Sequence, residues 1–423
     1  MFRRVAARLA WMTAGLRPGP KNGREVQMKR FGLIWLWVIC GLTALCLAAA
    51  PARAQMRDLG TLGGNKSAAN CINDQKTIVG NAETAPGSMH AFIIRDTQPM
   101  SQLFTPEENN TCGRWVNNIL QIVGFDESIE GYIAFFVWEK AKYYLQIWGI
   151  NSSAEGINDQ GTVVGSATTA AGSMKAFLIR HYLDNADGVQ SEASGDLYDL
   201  GTLGGNNSYG CGVNNLDQVV GYAQNAAGQF RAFLYTGTPG VDGKMHDLGT
   251  LGGSNSYAYG INNLGQIVGA SQTTGGETHA FLYNGVPGVG GAMTDLGTLG
   301  GQWSEARGIN NLGQIVGAST TASGRTHAFL YANGVMRDLG VLPGGTDSWA
   351  YSINNLGQIV GEATTAAGYR HAFLYNPPQA TAPALLLLLS EWLRPLTGWG
   401  RPPSLALPPV AGPGGMEGRF RRG

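Results

Sequence analysis

The chain has 423 residues, with 29 basic and 29 acidic side chains, and charged residues make up only 14% of it. Binding nucleic acid by phosphate neutralisation needs clustered lysine and arginine, and residues 55–376 hold no such cluster, so that partner class is excluded. The 63 glycines fit a chain of frequent tight turns without long helices.

Residues 1–54 read as an export signal. Lys29 and Arg30 precede the apolar run Phe31 to Ala50, and Ala52-Arg53-Ala54 offers the small residues a signal peptidase recognises. Cleavage is expected after Ala54, with Met28 as the true start. An uncleaved membrane anchor is the alternative, since the run is long enough to cross a bilayer. The mature chain then holds Cys71, Cys112 and Cys211, one each in three different units and without metal or redox spacing. Buried free thiols are expected, with no cofactor and no metal.

From residue 55 to 376 one unit recurs. An Ala-Phe pair begins at Ala91, Ala134, Ala176, Ala232, Ala280, Ala328 and Ala372, in steps of 42 to 56 residues. Self-similarity at this period marks a repeat architecture that shares one continuous core. Within a unit, Ser256 to Asn262 alternates as a strand and leads into the turn residues Asn263-Leu264-Gly265. A second strand follows at Gln266 to Ala270, a third at His279 to Tyr283, and a fourth at Met293 to Leu299. Fourth-strand segments fall at 56–62, 100–104, 144–148, 197–203, 245–251, 293–299 and 336–342. The segment at Met56 to Leu62 has no unit before it, while the last unit, 348–375, has no fourth strand after it. Both leftovers are resolved by an all-β, seven-bladed β-propeller of four-stranded antiparallel blades, closed by the N-terminal strand. An open β-solenoid is the alternative.

Three motifs recur in fixed order: Asp-Leu-Gly-Thr-Leu-Gly-Gly, Ile-Asn-Asn-x-Gly-Gln-Ile-Val-Gly, and the His-Ala-Phe start of the third strand. Over residues 56–376 the chain resembles the HAF-repeat family of bacterial extracellular proteins. That resemblance implies an exported protein and is silent about activity. The second unit departs most: Ile133-Ala134-Phe135 lacks the His, and Tyr143 to Trp148 lacks Asp-Leu-Gly.

Comparing the seven copies separates scaffold from site. Counting back from Asn73, Asn117, Asn158, Asn214, Asn262, Asn310 and Asn354, the sixth residue always carries a hydroxyl and the fourth is always small. Such repeated roles read as structural. The histidines His90, His279, His327 and His371 become Ile133, Lys175 and Arg231 elsewhere, with no recurring carboxylate partner evident, so strand packing is expected. The repeated Asp58, Asp199, Asp247, Asp295 and Asp338 become Gln102 and Gln146, which points to a structural hydrogen bond. Gly63-Gly64-Asn65-Lys66-Ser67 lacks the second glycine of a phosphate loop and opens no helix.

Positions five and three before the reference asparagine vary from unit to unit. If the first strand is innermost they lie near the central channel, where Tyr209, Tyr257 and Trp349, with Trp303 close by, would set aromatic faces near one rim. Aromatic platforms beside uncharged polar groups suit glycans or other extended polar ligands. The leading reading is a secreted or surface-exposed, non-catalytic binding scaffold. A carbohydrate-active hydrolase or lyase using Glu155 and Glu305 is one alternative, and a structural envelope protein is another. The tail, 377–423, is Pro-rich and without repeat; disorder is expected, with no stable membrane span in the mature chain.

Overall fold

The computed structural model describes residues 56–377, apart from 86, 105–109, 130, 139–140, 146, 150 and 182–194. The proposed export signal and the Pro-rich tail lie outside the described residues. Among the described residues there are 28 β-strands and no helix. The strands form antiparallel meanders of four. In the fifth unit these are Gly252–Ile261, Ile267–Thr273, Thr278–Val286 and Val289–Asp295, hydrogen-bonded in chain order. A single parallel contact, Thr278 with Trp303, links this blade to the sixth. The seventh blade holds Ser348–Ile353, Ile359–Thr364 and Arg370–Tyr375, and its outer strand is Met56–Asp58 from the start of the chain. Met56 pairs with Tyr375, Arg57 with Leu374 and Asp58 with Phe373.

The local sequence explains the meander. Asn262 to Gly265 makes a tight turn in which the Gly265 N–H donates to the Asn262 carbonyl, and Gly265 sits at φ +75°. Strands two and three carry most of the core, and the first strand, from Ser256 on, alternates between buried and half-buried positions. The phenylalanine of every Ala-Phe pair (Phe92, Phe135, Phe177, Phe233, Phe281, Phe329 and Phe373) is 0% exposed. The preceding alanine is also fully buried and faces the neighbouring blade, so that Ala232 packs with Ala258, Ile267 and Phe281. Each such phenylalanine contributes on the order of 1.5–3 kcal/mol before conformational costs.

Three sequence expectations need correction. The outer strands end at the aspartate, not at the Leu four residues on, because Asp247 Oδ1 accepts the Gly249 N–H at 2.8 Å and bends the chain inward. The first strand starts earlier than Ser256 and its equivalents, since the Gly-Gly-x-x segment before the hydroxyl is its beginning in blades 1, 4, 5 and 6. In blade 2 the outer strand is Ala141–Tyr144, not 144–148. Tyr144 pairs with Phe135, the register that Asp247 holds against Phe233, so Tyr144 and not Gln146 replaces the aspartate.

Candidate functional site

The innermost strand of every blade carries a β-bulge at the same place. Pairing slips by one residue between Ala69 and Cys71, Gly113 and Trp115, Ala154 and Gly156, Gly210 and Gly212, Ala258 and Gly260, Ala306 and Gly308, and Ala350 and Ser352. The unpaired extra residue is always the third before the reference asparagine. A bulge leaves one residue out of the ladder and re-aims its side chain. Here it swings Asn70, Arg114, Glu155, Cys211, Tyr259, Arg307 and Tyr351 onto the wall of a single cavity. The same distortion accounts for the glycine of Ile-Val-Gly in the second strand. A Cβ on Gly269 would overlap the carbonyl oxygen of Tyr257, and Gly80, Gly124, Gly165, Gly221, Gly317 and Gly361 meet the equivalent carbonyl.

The cavity has a volume of about 560 Å³ and takes a wall residue from all seven inner strands. Four tyrosines line it: Tyr209, Tyr222, Tyr259 and Tyr351. Burial raises the phenol pKa values of Tyr222, Tyr259 and Tyr351, so these hydroxyls stay neutral hydrogen-bonding groups. The Arg307 guanidinium lies 4.2 Å over the Tyr259 ring, and its Nε and Nη2 donate to Glu305 at 2.7 and 3.1 Å. Arg114 Nε lies 3.4 Å from a Glu155 carboxylate oxygen, yet it is buried and makes no hydrogen bond. That ion pair is therefore close but poorly aligned. The Cys211 thiol also faces the cavity, and burial pushes its pKa up to about 12.

At the turn end of the inner strands the asparagines form two hydrogen-bonded circuits. Each reference asparagine donates through Nδ2 to the carbonyl of the next, at 2.8 to 3.1 Å, and Asn354 donates to Asn73. The following residue repeats the circuit with its backbone N–H, and Asn355 reaches Asp74 Oδ1 at 2.8 Å. Only about 140 Å³ is open between these groups. The residues here hold one another and leave the wider cavity as the place for a ligand.

The aromatic residues picked out from the sequence divide. Tyr209 lines the cavity, stacked on Tyr222 with ring centroids 4.7 Å apart. Tyr257 lies behind the wall, edge-on to Tyr222 at 5.1 Å and stacked on Tyr259 at 6.5 Å. Trp349 is outside the lining, and the Arg370 guanidinium covers its ring at 4.1 Å. Trp303 is also outside, at the start of its strand, with its N–H donated to Thr320 Oγ1. In a regular strand, positions five and three before the asparagine would share the channel face; the bulge gives the wall to position three in every blade, joined from position five by Ala68 and Tyr209 alone.

Contrary to expectation, three of the four strand-heading histidines do have a recurring carboxylate partner, whereas the buried His90 Nδ1 makes no hydrogen bond. His279, His327 and His371 meet Asp295, Asp338 and Asp58 through Nδ1 at 2.8, 2.7 and 2.9 Å. The partner sits on the adjacent outer strand, and an oxygen of that same aspartate holds the turn. Blade 2 has a different solution. Asp126 accepts from Lys142 Nζ at 2.6 Å and from the Tyr144 hydroxyl at 2.8 Å, and the ammonium lies 4.3 Å from the Phe104 ring centroid. No group of three or more His, Cys, Asp or Glu among the described residues is arranged to hold a metal ion. No helix among the described residues is long and apolar enough to cross a membrane.

No family model matches the sequence, and no curated protein matches it. Among solved structures, TolB from Acinetobacter baumannii is similar at 9% identity and a TM-score of 0.41, over 71% of this chain and 64% of that one. This chain therefore spans just under two thirds of the TolB structure. The BP39L lectin from Burkholderia pseudomallei is similar at 10% identity and a TM-score of 0.40, over 75% of this chain and all of that one. A gluconolactonase from Xanthomonas campestris follows at 12% identity and a TM-score of 0.38, over 78% of this chain and 93% of that one. The architecture of four-stranded blades stands on the strand pairings described above.

Proposed function

We propose that this is an exported, non-catalytic binding protein of the HAF-repeat kind, and that it takes an extended polar ligand, such as a glycan, in the cavity at the bulges. One observation carries the reading. The positions that repeat in every blade are consumed by bonds within the ring, whereas the seven bulge residues differ and line one cavity. Tyrosines beside amides and hydroxyls suit a hydroxyl-rich ligand, because the rings give apolar contact and the polar groups give direction. The hydrolase or lyase alternative needs two carboxylates facing each other across a cleft. Glu305 is held by Arg307 through two hydrogen bonds and Glu155 has the Arg114 guanidinium beside it, which favours binding over acid–base chemistry.

The test is a titration of the full chain against a panel of neutral and acidic oligosaccharides. Tyr259→Ala should weaken the bound member at least about tenfold, as for a central aromatic contact. The combined Tyr257→Ala and Trp349→Ala change, outside the lining, should weaken it far less. Unchanged affinity in a folded Tyr259→Ala chain removes the cavity from the function. If no panel member binds, the structural envelope reading stands in its place.

A further inference from the structure

The cavity wall carries charges of both signs. Two guanidiniums, Arg114 and Arg307, line it against one carboxylate, Glu155. Glu305 compensates Arg307 from behind: its side chain is 12% exposed, while that of Arg307 is 39% exposed. A guanidinium has five N–H donors. Arg307 gives two of them to Glu305, and Arg114 has no hydrogen bond from its buried Nε, only the misaligned contact with Glu155. Both side chains therefore keep donors unspent, and both line the same cavity. The two like charges also lie near enough to oppose one another. A planar anion between them would relieve that repulsion and accept paired N–H bonds. Beside Glu155 the wall carries neutral polar groups, Asn70, Asn81 and tyrosine hydroxyls that burial keeps protonated, with the Tyr351 phenol hydrogen-bonded to the Glu362 carboxylate.

We infer that the ligand is a saccharide bearing a carboxylate, with its carboxylate on Arg114 and Arg307 and its hydroxyls on the amides and phenols. This deepens the binding reading above and rests on it. Blades 2 and 6 supply the two arginines, so the carboxylate would lie between them and the sugar would run towards Tyr209 and Tyr222 of blade 4. A neutral glycan would leave those guanidinium donors to water and forgo the charge-assisted bonds that a carboxylate accepts.

The experiment compares trigalacturonate with its fully methyl-esterified form on the full chain, since esterification removes the carboxylate charge and leaves the sugar backbone the same. The acid should bind at least about tenfold tighter, as expected for a charge-assisted bidentate contact. Arg307→Gln and Arg114→Gln should each remove most of that preference and leave the affinity for the ester in place. Equal binding of acid and ester by the unaltered chain overturns the inference and leaves the binding reading intact. Arginine variants that weaken both forms equally overturn it in the same way. Displacement of trigalacturonate by an equal concentration of inorganic sulfate reduces the site to a general anion trap and also overturns it. Binding of neither form, with no other saccharide bound, overturns both readings.

Discussion

At every blade junction a hydroxyl accepts the N–H of the preceding Ala-Phe alanine, and among the described residues five of the seven also donate to a glycine carbonyl and so tie three chain segments together. Ser256 Oγ accepts the N–H of Ala232 from the preceding blade at 2.9 Å and donates to the Gly249 carbonyl at 2.6 Å. Ser304 does the same for Ala280 and Gly297, and Ser67 accepts from Ala372 across the ends of the chain. This is why the hydroxyl and the Ala-Phe pair repeat together: one is the acceptor for the other. Buried thiols add a dependence on pH. Burial pushes Cys71 and Cys211 up to about 12 from an ordinary value of 9.0. The unfolded chain loses these protons from about pH 9 upward while the folded chain keeps them, so stability is full below pH 9 and falls as pH rises towards 12. Urea midpoints measured between pH 8 and 11 should decline through this window, and less steeply for Cys71→Ala. A flat profile would show that the thiols titrate alike in both states.

Among the elements, the bulged inner strand is the one with functional consequences. Its existence as a strand is legible in the sequence, because residues such as Ser256 to Asn262 alternate with period two. Its bulge is not, because an extra residue in one strand changes pairing without changing residue type. The traces it does leave are indirect: a small residue four before the asparagine, and a glycine facing it in the second strand. Close packing alone explains both traces equally well, and so the aromatic residues at position five draw the candidate site outward to Tyr257 and Trp349. The outer strand of blade 2 misleads for another reason. Tyr143-Tyr144-Leu145 and Leu145-Gln146-Ile147 offer two similar apolar registers, and the ladder selects the earlier one through the Leu145 N–H bond to the Ala134 carbonyl. Two glycines separate the causes of strictness. Gly269→Ala forces a Cβ onto the Tyr257 carbonyl and should cost about 3 kcal/mol or more, as backbone overlap in a packed ladder. Gly297 sits at φ +74° with open space around it, so Gly297→Ala should cost only about 1 kcal/mol of backbone strain. Equal losses in chemical denaturation would contradict the bulge explanation.

The whole molecule depends on how its ends meet. Met56 is 4% exposed and packs among Ile353, Ile359, Leu342 and Phe373, and its strand covers the edge of the last blade. The asparagine circuits carry the same junction through Asn354 and Asn355 to blade 1. A count of seven is legible in the sequence from the leftover strand at each end, whereas the circuits are not, because an asparagine in a tight turn is sufficiently explained by the turn itself. The cavity needs this junction, since Tyr351 of blade 7 and Asn70 of blade 1 stand on either side of it. The most direct measurement compares the thermal unfolding of a chain begun at Gln55 with one begun at Asn65, which lacks the first strand and its Asp58–His371 contact. Loss of one buried methionine alone costs about 2–5 kcal/mol, and with the unpaired edge the shorter chain should melt at least about 10 °C lower or fail to stay soluble. Equal melting temperatures for two soluble chains would contradict the closed ring and the shared cavity built on it.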